Sequence, residues 1–130
     1  LFPDFRAMEA EYYRRTGLFP IMHTIVIRRD IYRANPWVAE SLYKAFVEAK
    51  ARCAAALYNT AALPYMLPWM IEELEAAREL MGEDYWAYGL EPNRKTLEAF
   101  TQYAHEQGLT PERLAPEALF APSTLQTFKV

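Results

Sequence analysis

Histidine is the side chain whose ordinary pKa lies nearest neutral pH, which suits it to proton transfer. This chain has two, His23 and His105. His23 opens a run rich in β-branched residues, and residues at the ends of strands commonly line clefts in α/β proteins. We therefore predict His23 as a cleft residue, with a core-edge histidine bonded to a nearby carbonyl as the open alternative. His105 lies near the end of a predicted helix, where a surface position beside the helix dipole is the simpler interpretation.

A cluster of aromatic residues is the second feature that could bind a ligand. Tyr85, Trp86 and Tyr88 fall within four positions of a predicted loop at residues 84–89. Such a loop could line a pocket for a planar ligand. It could equally fill the gap between two helices, and the sequence leaves both interpretations open.

Carboxylates are plentiful, but their spacing does not predict a site. Glu72, Glu75 and Glu79 share one face of a predicted helix, which is typical of a solvated face. No ligand spacing for a metal is present, and neither is a nucleophile elbow, a phosphate-binding glycine loop or a dinucleotide fingerprint. We therefore predict no metal site and no cofactor.

Composition indicates a folded protein and excludes some partners. Of the 130 residues, 52% are apolar and 24% charged, which favours one globular domain with a core. The net charge is −3 and the basic residues do not cluster, so we predict no nucleic-acid partner. No apolar stretch is long enough for a membrane span, so no membrane association is predicted. Cys53 is the only cysteine, which excludes an internal disulfide and fits a reducing compartment.

Periodicity and breaker residues predict a mainly helical chain. Helices are predicted at 3–17, 36–57, 68–81 and 92–107, with a short helical turn at 30–35 and further turns near 110–112 and 115–117. The long helix carries apolar residues at helical spacing, which predicts that this face is buried. These residues are Val38, Leu42, Ala45, Phe46, Ala49, Cys53, Ala56 and Leu57.

Residues 21–28 break the helical period and predict the one principal β-strand. A single strand cannot satisfy its own edges, so we expect it to pair outside this chain or with a second copy. The chain also begins with Leu1 rather than Met. Both observations favour a piece of a longer protein.

Several blocks of sequence resemble the 4,5-dihydroxyphthalate decarboxylase family, in its C-terminal portion. The blocks cover nearly the whole chain and lie at residues 12–24, 25–39, 41–46, 80–82, 86–97 and 114–122. The resemblance implies a two-lobed α/β fold of the periplasmic-binding-protein type II. Residues 1–130 would then be its C-terminal segment, a crossover strand at about 21–28 followed by closing helices.

The resemblance also implies an activity, the non-oxidative removal of one carboxylate from 4,5-dihydroxyphthalate to give protocatechuate and CO2. We predict His23 as its catalytic acid or base, because the ring carbon must be protonated. Residues predicted to bind the aromatic carboxylate are Arg14, Arg28, Tyr88 and Arg94. The chain alone is expected to be inactive, and no cofactor is implied.

Two other functions remain open at this point. The implied fold is shared with solute-binding proteins, so a binder of an aromatic or other organic acid is the first alternative. The second is a non-catalytic helical interaction module that associates as a homo-oligomer through its free strand. We expect the enzyme to be cytoplasmic, and the solute-binding protein to be periplasmic.

Overall fold

The computed structural model describes residues 3–63 and 65–125, and this part of the chain is built from helices. They are α1 (Phe5–Thr16), α2 (Arg29–Ala34), α3 (Trp37–Leu57), α4 (Met70–Met81) and α5 (Leu90–Glu106), followed by two 3₁₀ helices (Pro116–Leu119 and Pro122–Thr124). All five predicted helical segments are confirmed, with ends that differ by one or two residues. The turn predicted near 110–112 is not helical.

Capping residues explain where α1 begins and ends. The Asp4 carboxylate accepts a hydrogen bond from the Ala7 N–H at 3.2 Å, which satisfies one of the free donors of the first turn. Gly17 ends the helix in the left-handed conformation, at φ 64°, and its N–H donates to the Tyr13 carbonyl. The sequence signals that predicted this helix therefore act as expected.

The predicted strand at 21–28 is wrong. Residues 17–28 have no regular secondary structure, and no strand occurs in residues 3–63 or 65–125. A strand needs a partner to bond its backbone N–H and C=O groups, and the rest of the described chain is helical or irregular. Ile25 and Val26 are 65% and 87% exposed, so the β-branched side chains are not packed either. The chain is all-helical where it is described, and the α/β class is not supported.

The small core is centred on α5. Leu90, Leu97 and Ala104 are buried along this helix, together with the Thr101 hydroxyl, which donates to the Glu98 carbonyl. They are joined in the core by Ala39 of α3, Met70 of α4 and Pro116 of the first 3₁₀ helix. The apolar period of the sequence places Leu97, Phe100 and Ala104 on one face of this helix, but Phe100 is 60% exposed. Leu97 and Ala104 of that face are buried, and Thr101 rather than Phe100 completes the core-facing stripe of α5.

Helix α3 buries a different face from the predicted one. Ala39, Tyr43, Val47 and Lys50 face the rest of the chain and are buried or half-buried. The sequence predicted that a face about a quarter turn away would be buried, and six residues of that face form an exposed surface that we name the open face of α3. Its residues are Leu42, Ala45, Phe46, Ala49, Cys53 and Ala56. The apolar pattern exists as predicted, but its side chains are exposed in the described chain rather than buried.

Candidate functional site

The aromatic loop, residues 84–89, lies against α3, and Lys50 of that helix makes most of the polar contacts with it. The Lys50 ammonium lies 2.6 Å from the Asp84 carboxylate and donates to the Trp86 carbonyl at 3.1 Å. It also lies over the Tyr88 ring, 4.9 Å from the centroid. The side chain of Lys50 is 22% exposed, so these contacts form in a partly dehydrated position. The loop therefore has a fixed place on the helix.

The end of the same loop is fixed by two further residues. The Tyr43 hydroxyl is 3.5 Å from the Tyr88 carbonyl, and the Asn93 amide donates to the carbonyls of Ala87 and Gly89, both at 2.9 Å. A Cβ at Gly89 would lie 3.1 Å from the Tyr43 hydroxyl oxygen. Glycine is therefore required here both by this close approach and by a φ of 95°.

The segment after α1 meets the aromatic loop through a pair of rings. Phe19 packs edge-on against Trp86, with centroids 5.8 Å apart and an interplanar angle of 65°. Both rings are partly exposed, at 38% and 46%. Gly17 precedes Phe19 by two residues, and a Cβ added at Gly17 would lie 3.4 Å from the Lys95 ammonium. Aromatic surface and cationic groups thus meet where residues 17–19, the aromatic loop and α5 come together.

The predicted catalytic residue lies close to this junction in sequence. His23 is four residues beyond Phe19, is exposed, and has no hydrogen bond or ion pair with the part of the chain that the structure describes. His23 is therefore neither at the edge of the core nor bonded to a carbonyl of the described chain, and the core-edge alternative is not supported. His105 does make such a contact, because its Nδ1 lies 3.3 Å from the Thr110 carbonyl.

The predicted carboxylate-binding arginines differ in their present partners. Arg28 makes a two-point contact with Asp30, which raises the pKa of the guanidinium and lowers that of the carboxyl. Arg14 has only a loose pair with Glu11, at 3.7 Å. Both side chains are exposed. Arg14 can thus take a new carboxylate without losing a tight pair, whereas Arg28 would have to exchange Asp30.

Arg94 is the most heavily engaged of the predicted binding residues. Its guanidinium pairs with Glu91 and Glu117, each at 2.7 Å, and lies 3.9 Å from Glu98. The hydrogen bonds that it donates to the carboxylates of Glu91 and Glu117 raise the pKa of the guanidinium. Because Glu117 belongs to the first 3₁₀ helix, this cluster attaches that helix to α5. These contacts have a structural function that needs no ligand.

The five predicted site residues are not brought together into one pocket. Tyr88 sits in the aromatic loop under Lys50, Arg94 faces the 3₁₀ helix, and His23 and Arg28 lie in or beside the irregular segment. Two shallow grooves occur elsewhere, and neither contains a predicted site residue. One is lined by α1 residues between Asp4 and Arg15, and the other by residues 67–70, Glu73 and Leu74. The site assignment stays a prediction.

Sequence reasoning did not single out Lys50, although it makes more contacts with the aromatic loop than any predicted residue does. One signal was available. The helical neighbours of Lys50 at three and four residues are Phe46, Val47, Cys53 and Ala54, none of which can pair with it. A lysine without an acidic neighbour on its own helix has to find its partner elsewhere, and here the partner is Asp84.

Metal-ligand clusters and membrane-spanning helices are both absent from the described residues. No three His, Cys, Asp or Glu side chains in that part of the chain converge on a position for a metal ion. None of the helices there combines the length and the apolar character that a membrane crossing requires.

Comparison with known proteins gives one informative similarity. No family model matches the chain. The chain is 40% identical, over all 130 residues, to a curated 4,5-dihydroxyphthalate decarboxylase from Comamonas testosteroni. It spans 39% of the length of that protein. The resemblance predicted from the sequence blocks is therefore confirmed along the whole chain.

Proposed function

We propose, from this similarity to a 4,5-dihydroxyphthalate decarboxylase, that the chain forms part of a decarboxylase acting on an aromatic dicarboxylate. The observation that carries the proposal is 40% identity that extends over all 130 residues rather than over one motif. Because the chain spans 39% of that relative, we propose that it supplies only part of the active site. On this basis the chain alone should be inactive.

The proposed reaction replaces a C–C bond by a C–H bond on the ring. A hydroxyl para to the leaving carboxylate releases its electrons into the ring, and an acid protonates the carbon that bears this carboxylate. The bond to the carboxylate then breaks, CO2 leaves, and the electron pair restores the aromatic ring. One proton is consumed overall, and the ring hydroxyl supplies the electrons, so this sequence requires no organic cofactor.

We assign the proton donor in this scheme to His23. Its side chain is exposed, and it forms no hydrogen bond or ion pair with the described residues that would have to break before it meets a substrate. It also lies four residues from the partly exposed Phe19–Trp86 pair, which offers aromatic surface to a planar ring. Acid catalysis by a well-placed side chain typically contributes about 10² to 10⁴ in rate.

We rank the residues proposed to bind the substrate by how weakly each side chain is paired in the described chain. Arg14 comes first, since its pair with Glu11 is loose, and Arg28 second, since Asp30 must be displaced. Tyr88 could contact a ring hydroxyl, although one face of its ring is covered by Lys50. Arg94 is the least available because three glutamates surround it. A bidentate guanidinium contact would also orient the carboxylate that stays on the product.

The test is to insert these 130 residues into the Comamonas enzyme in place of its matching segment. CO2 release from 4,5-dihydroxyphthalate is then measured for the chimera, the chain alone, and the chimera with His23→Ala. The matched control is the chimera with His105→Ala, which removes the other histidine. His105 contacts the Thr110 carbonyl and is not assigned a role in the reaction. We expect release by the chimera, none by the chain alone, and a loss of about 10²-fold or more only in His23→Ala.

Other results would change the assignment. A folded chimera that binds the acid without releasing CO2 would contradict the decarboxylase and favour a solute-binding function. Equal activity in His23→Ala and His105→Ala would keep the reaction but discard His23 as the acid. Circular dichroism of each chimera establishes that it is folded.

A further inference from the structure

Lys95 of α5 places its ammonium group beside the end of α1. A Cβ added at Gly17 would lie 3.4 Å from the ammonium nitrogen and 3.9 Å from the Lys95 Cδ atom. No hydrogen bond or ion pair joins Lys95 to any residue that the structure describes. The side chain is exposed, so a ligand can reach the ammonium from solvent. The sequence did not predict Lys95 as a binding residue.

Lys95 has acidic neighbours on its own helix, but they face another cation. Glu91 lies four residues before Lys95 and Glu98 three residues after it, which are the spacings at which ion pairs form along a helix. Both carboxylates are directed to the Arg94 guanidinium instead, at 2.7 and 3.9 Å. The charge of Lys95 is therefore left for an acid that comes from outside the described residues.

Hydrogen bonds fix the backbone next to this ammonium and in the aromatic loop. The Thr16 hydroxyl accepts a hydrogen bond from the Leu18 N–H at 3.1 Å, which holds the turn on both sides of Gly17. In the loop, the Trp86 carbonyl accepts a hydrogen bond from the Lys50 ammonium at 3.1 Å. The turn and the loop are thus positioned before any ligand binds, which lowers the entropic cost of binding.

An aromatic pair follows the turn. Phe19 is two residues beyond Gly17, a step of at most about 7 Å along the chain, and its ring packs against Trp86. The two rings are 38% and 46% exposed. An aromatic dicarboxylate has a flat apolar ring with carboxylates at its edge. The pair offers aromatic surface to such a ring, and Lys95 offers a positive charge to a carboxylate.

We propose that Lys95 binds a carboxylate of the aromatic dicarboxylate, with the ring of this acid against the Phe19–Trp86 pair. This assignment rests on the proposed function and adds a binding residue to it. The partly negative C-terminal end of α1 also attracts an ammonium, which would give Lys95 a purely structural function. The two functions are distinguishable, because a structural lysine changes stability alone, whereas a binding lysine changes the affinity for the acid.

The test compares the chimera with the Comamonas enzyme and its variants Lys95→Met and Lys95→Arg. Titration calorimetry measures the binding of phthalate, which has both carboxylates but lacks the ring hydroxyl that the proposed reaction needs. We expect Lys95→Met to weaken phthalate binding at least about tenfold, since a hydrogen bond between charged groups is lost. Lys95→Arg keeps the charge and should retain most of the affinity. In CO2 release, Lys95→Met should raise KM more than it lowers kcat.

Arg52→Met in the same chimera is the matched control. It also removes one positive charge, but Arg52 pairs with Glu48 and lies two residues from Lys50, on the opposite side of α3 from the aromatic loop. We expect this variant to bind phthalate as tightly as the unchanged chimera. Circular dichroism of each variant measures its melting temperature and establishes that it is folded.

Equal phthalate affinities in Lys95→Met and Arg52→Met would overturn the proposal, and a lower melting temperature in Lys95→Met alone would then leave Lys95 a structural function. No binding of phthalate by the unchanged chimera would overturn it as well. If the chimera binds phthalate but releases no CO2, the decarboxylase fails, while the affinity of Lys95→Met still decides whether Lys95 binds the acid. If Lys95→Met does not fold, Lys95→Gln replaces it, with the same expected loss.

Discussion

At the scale of single residues, the contacts of Lys50 show how one ammonium group can position a whole loop. It reaches a carboxylate, a backbone carbonyl and an aromatic ring, all within residues 84–89. Arg52 lies two residues further along α3 and pairs with Glu48 on the same helix. The side chain of Arg52 is 80% exposed, against 22% for Lys50. The two cations therefore allow a comparison of a partly buried and a solvated ion pair.

We predict that Lys50→Met lowers the free energy of unfolding by about 1–2 kcal/mol, because it removes a charged hydrogen-bonding group from a partly dehydrated position. Arg52→Met should cost less than about 0.5 kcal/mol, since an exposed pair within one helix contributes little. Urea denaturation of the two variants and the parent measures both values. Equal losses would mean that Lys50 contributes no more than a surface pair.

The Arg94 cluster predicts a pH dependence. Its hydrogen bond lowers the pKa of Glu91, and the pKa of Glu117 is lowered by a backbone N–H and then by Arg94. Both pKa values are thus lower in the folded than in the unfolded chain. The stabilisation is complete above the unfolded pKa of about 4.3 and is lost as the pH falls through the folded values.

We therefore expect Arg94→Met to melt at a lower temperature than the parent at pH 7, and the gap in melting temperature to narrow as the pH falls below about 4.3, the ordinary pKa of a glutamate. Thermal unfolding followed by circular dichroism across this range measures the gap. A gap that stays constant with pH would show that the two carboxylates are not linked to stability through Arg94.

At the scale of elements, two glycines mark the ends of the connection between α4 and α5. Gly82 follows α4 at φ 94° and ψ 173°, and Gly89 precedes α5 at φ 95° and ψ 174°. The backbone conformations are nearly identical, and this region is accessible almost only to glycine. Their surroundings differ, because a Cβ at Gly82 meets nothing within 4 Å, while one at Gly89 lies 3.1 Å from the Tyr43 hydroxyl oxygen.

We predict that Gly82→Ala destabilises the fold by about 1–3 kcal/mol through backbone strain alone. Gly89→Ala should cost more, since it adds the contact with Tyr43. In a Tyr43→Phe background that excess should disappear, because the nearest remaining ring atom is 3.8 Å away. Denaturant titration of the four combinations at Gly89 and Tyr43 provides the test. An excess that persists without the hydroxyl would locate the cost elsewhere.

At the scale of the whole molecule, the folded chain buries little surface for its length. Five buried hydrophobic residues and Pro116 make up the core of the described chain, and none of them is aromatic. An unfolded chain of this mass exposes about 21,900 Å². Folding to 10399 Å² therefore removes about a fifth less surface from water than folding to a compact monomer would.

The dependence of unfolding on denaturant should reflect this difference. Since the m-value is proportional to the surface exposed on unfolding, we expect an m-value about a fifth lower than that of compact proteins of 130 residues. The measurement is a urea titration at the lowest workable protein concentration, so that association does not cover the surface. An m-value typical of a compact protein would contradict the open arrangement.

The sequence by itself determined the helices and the family resemblance. Local signals such as the Asp4 cap, the left-handed Gly17 and the apolar period of α3 depend on neighbours within a few residues, so they can be read directly. The resemblance to a decarboxylase could also be read from local blocks, and the 40% identity confirms it. The proposed catalytic role of His23 remains a prediction from residue type and position.

Only the tertiary structure decided which faces are covered and which segments pair. The run at 21–28 has the composition of a strand, but a strand forms only where a partner supplies its hydrogen bonds, and none lies in the described chain. In α3 the apolar stripe was visible, but which side meets the core depends on contacts such as Lys50 with Asp84, 34 residues away. Such distant contacts leave no period in the sequence, which is why the aromatic loop and its lysine could be placed only by the fold.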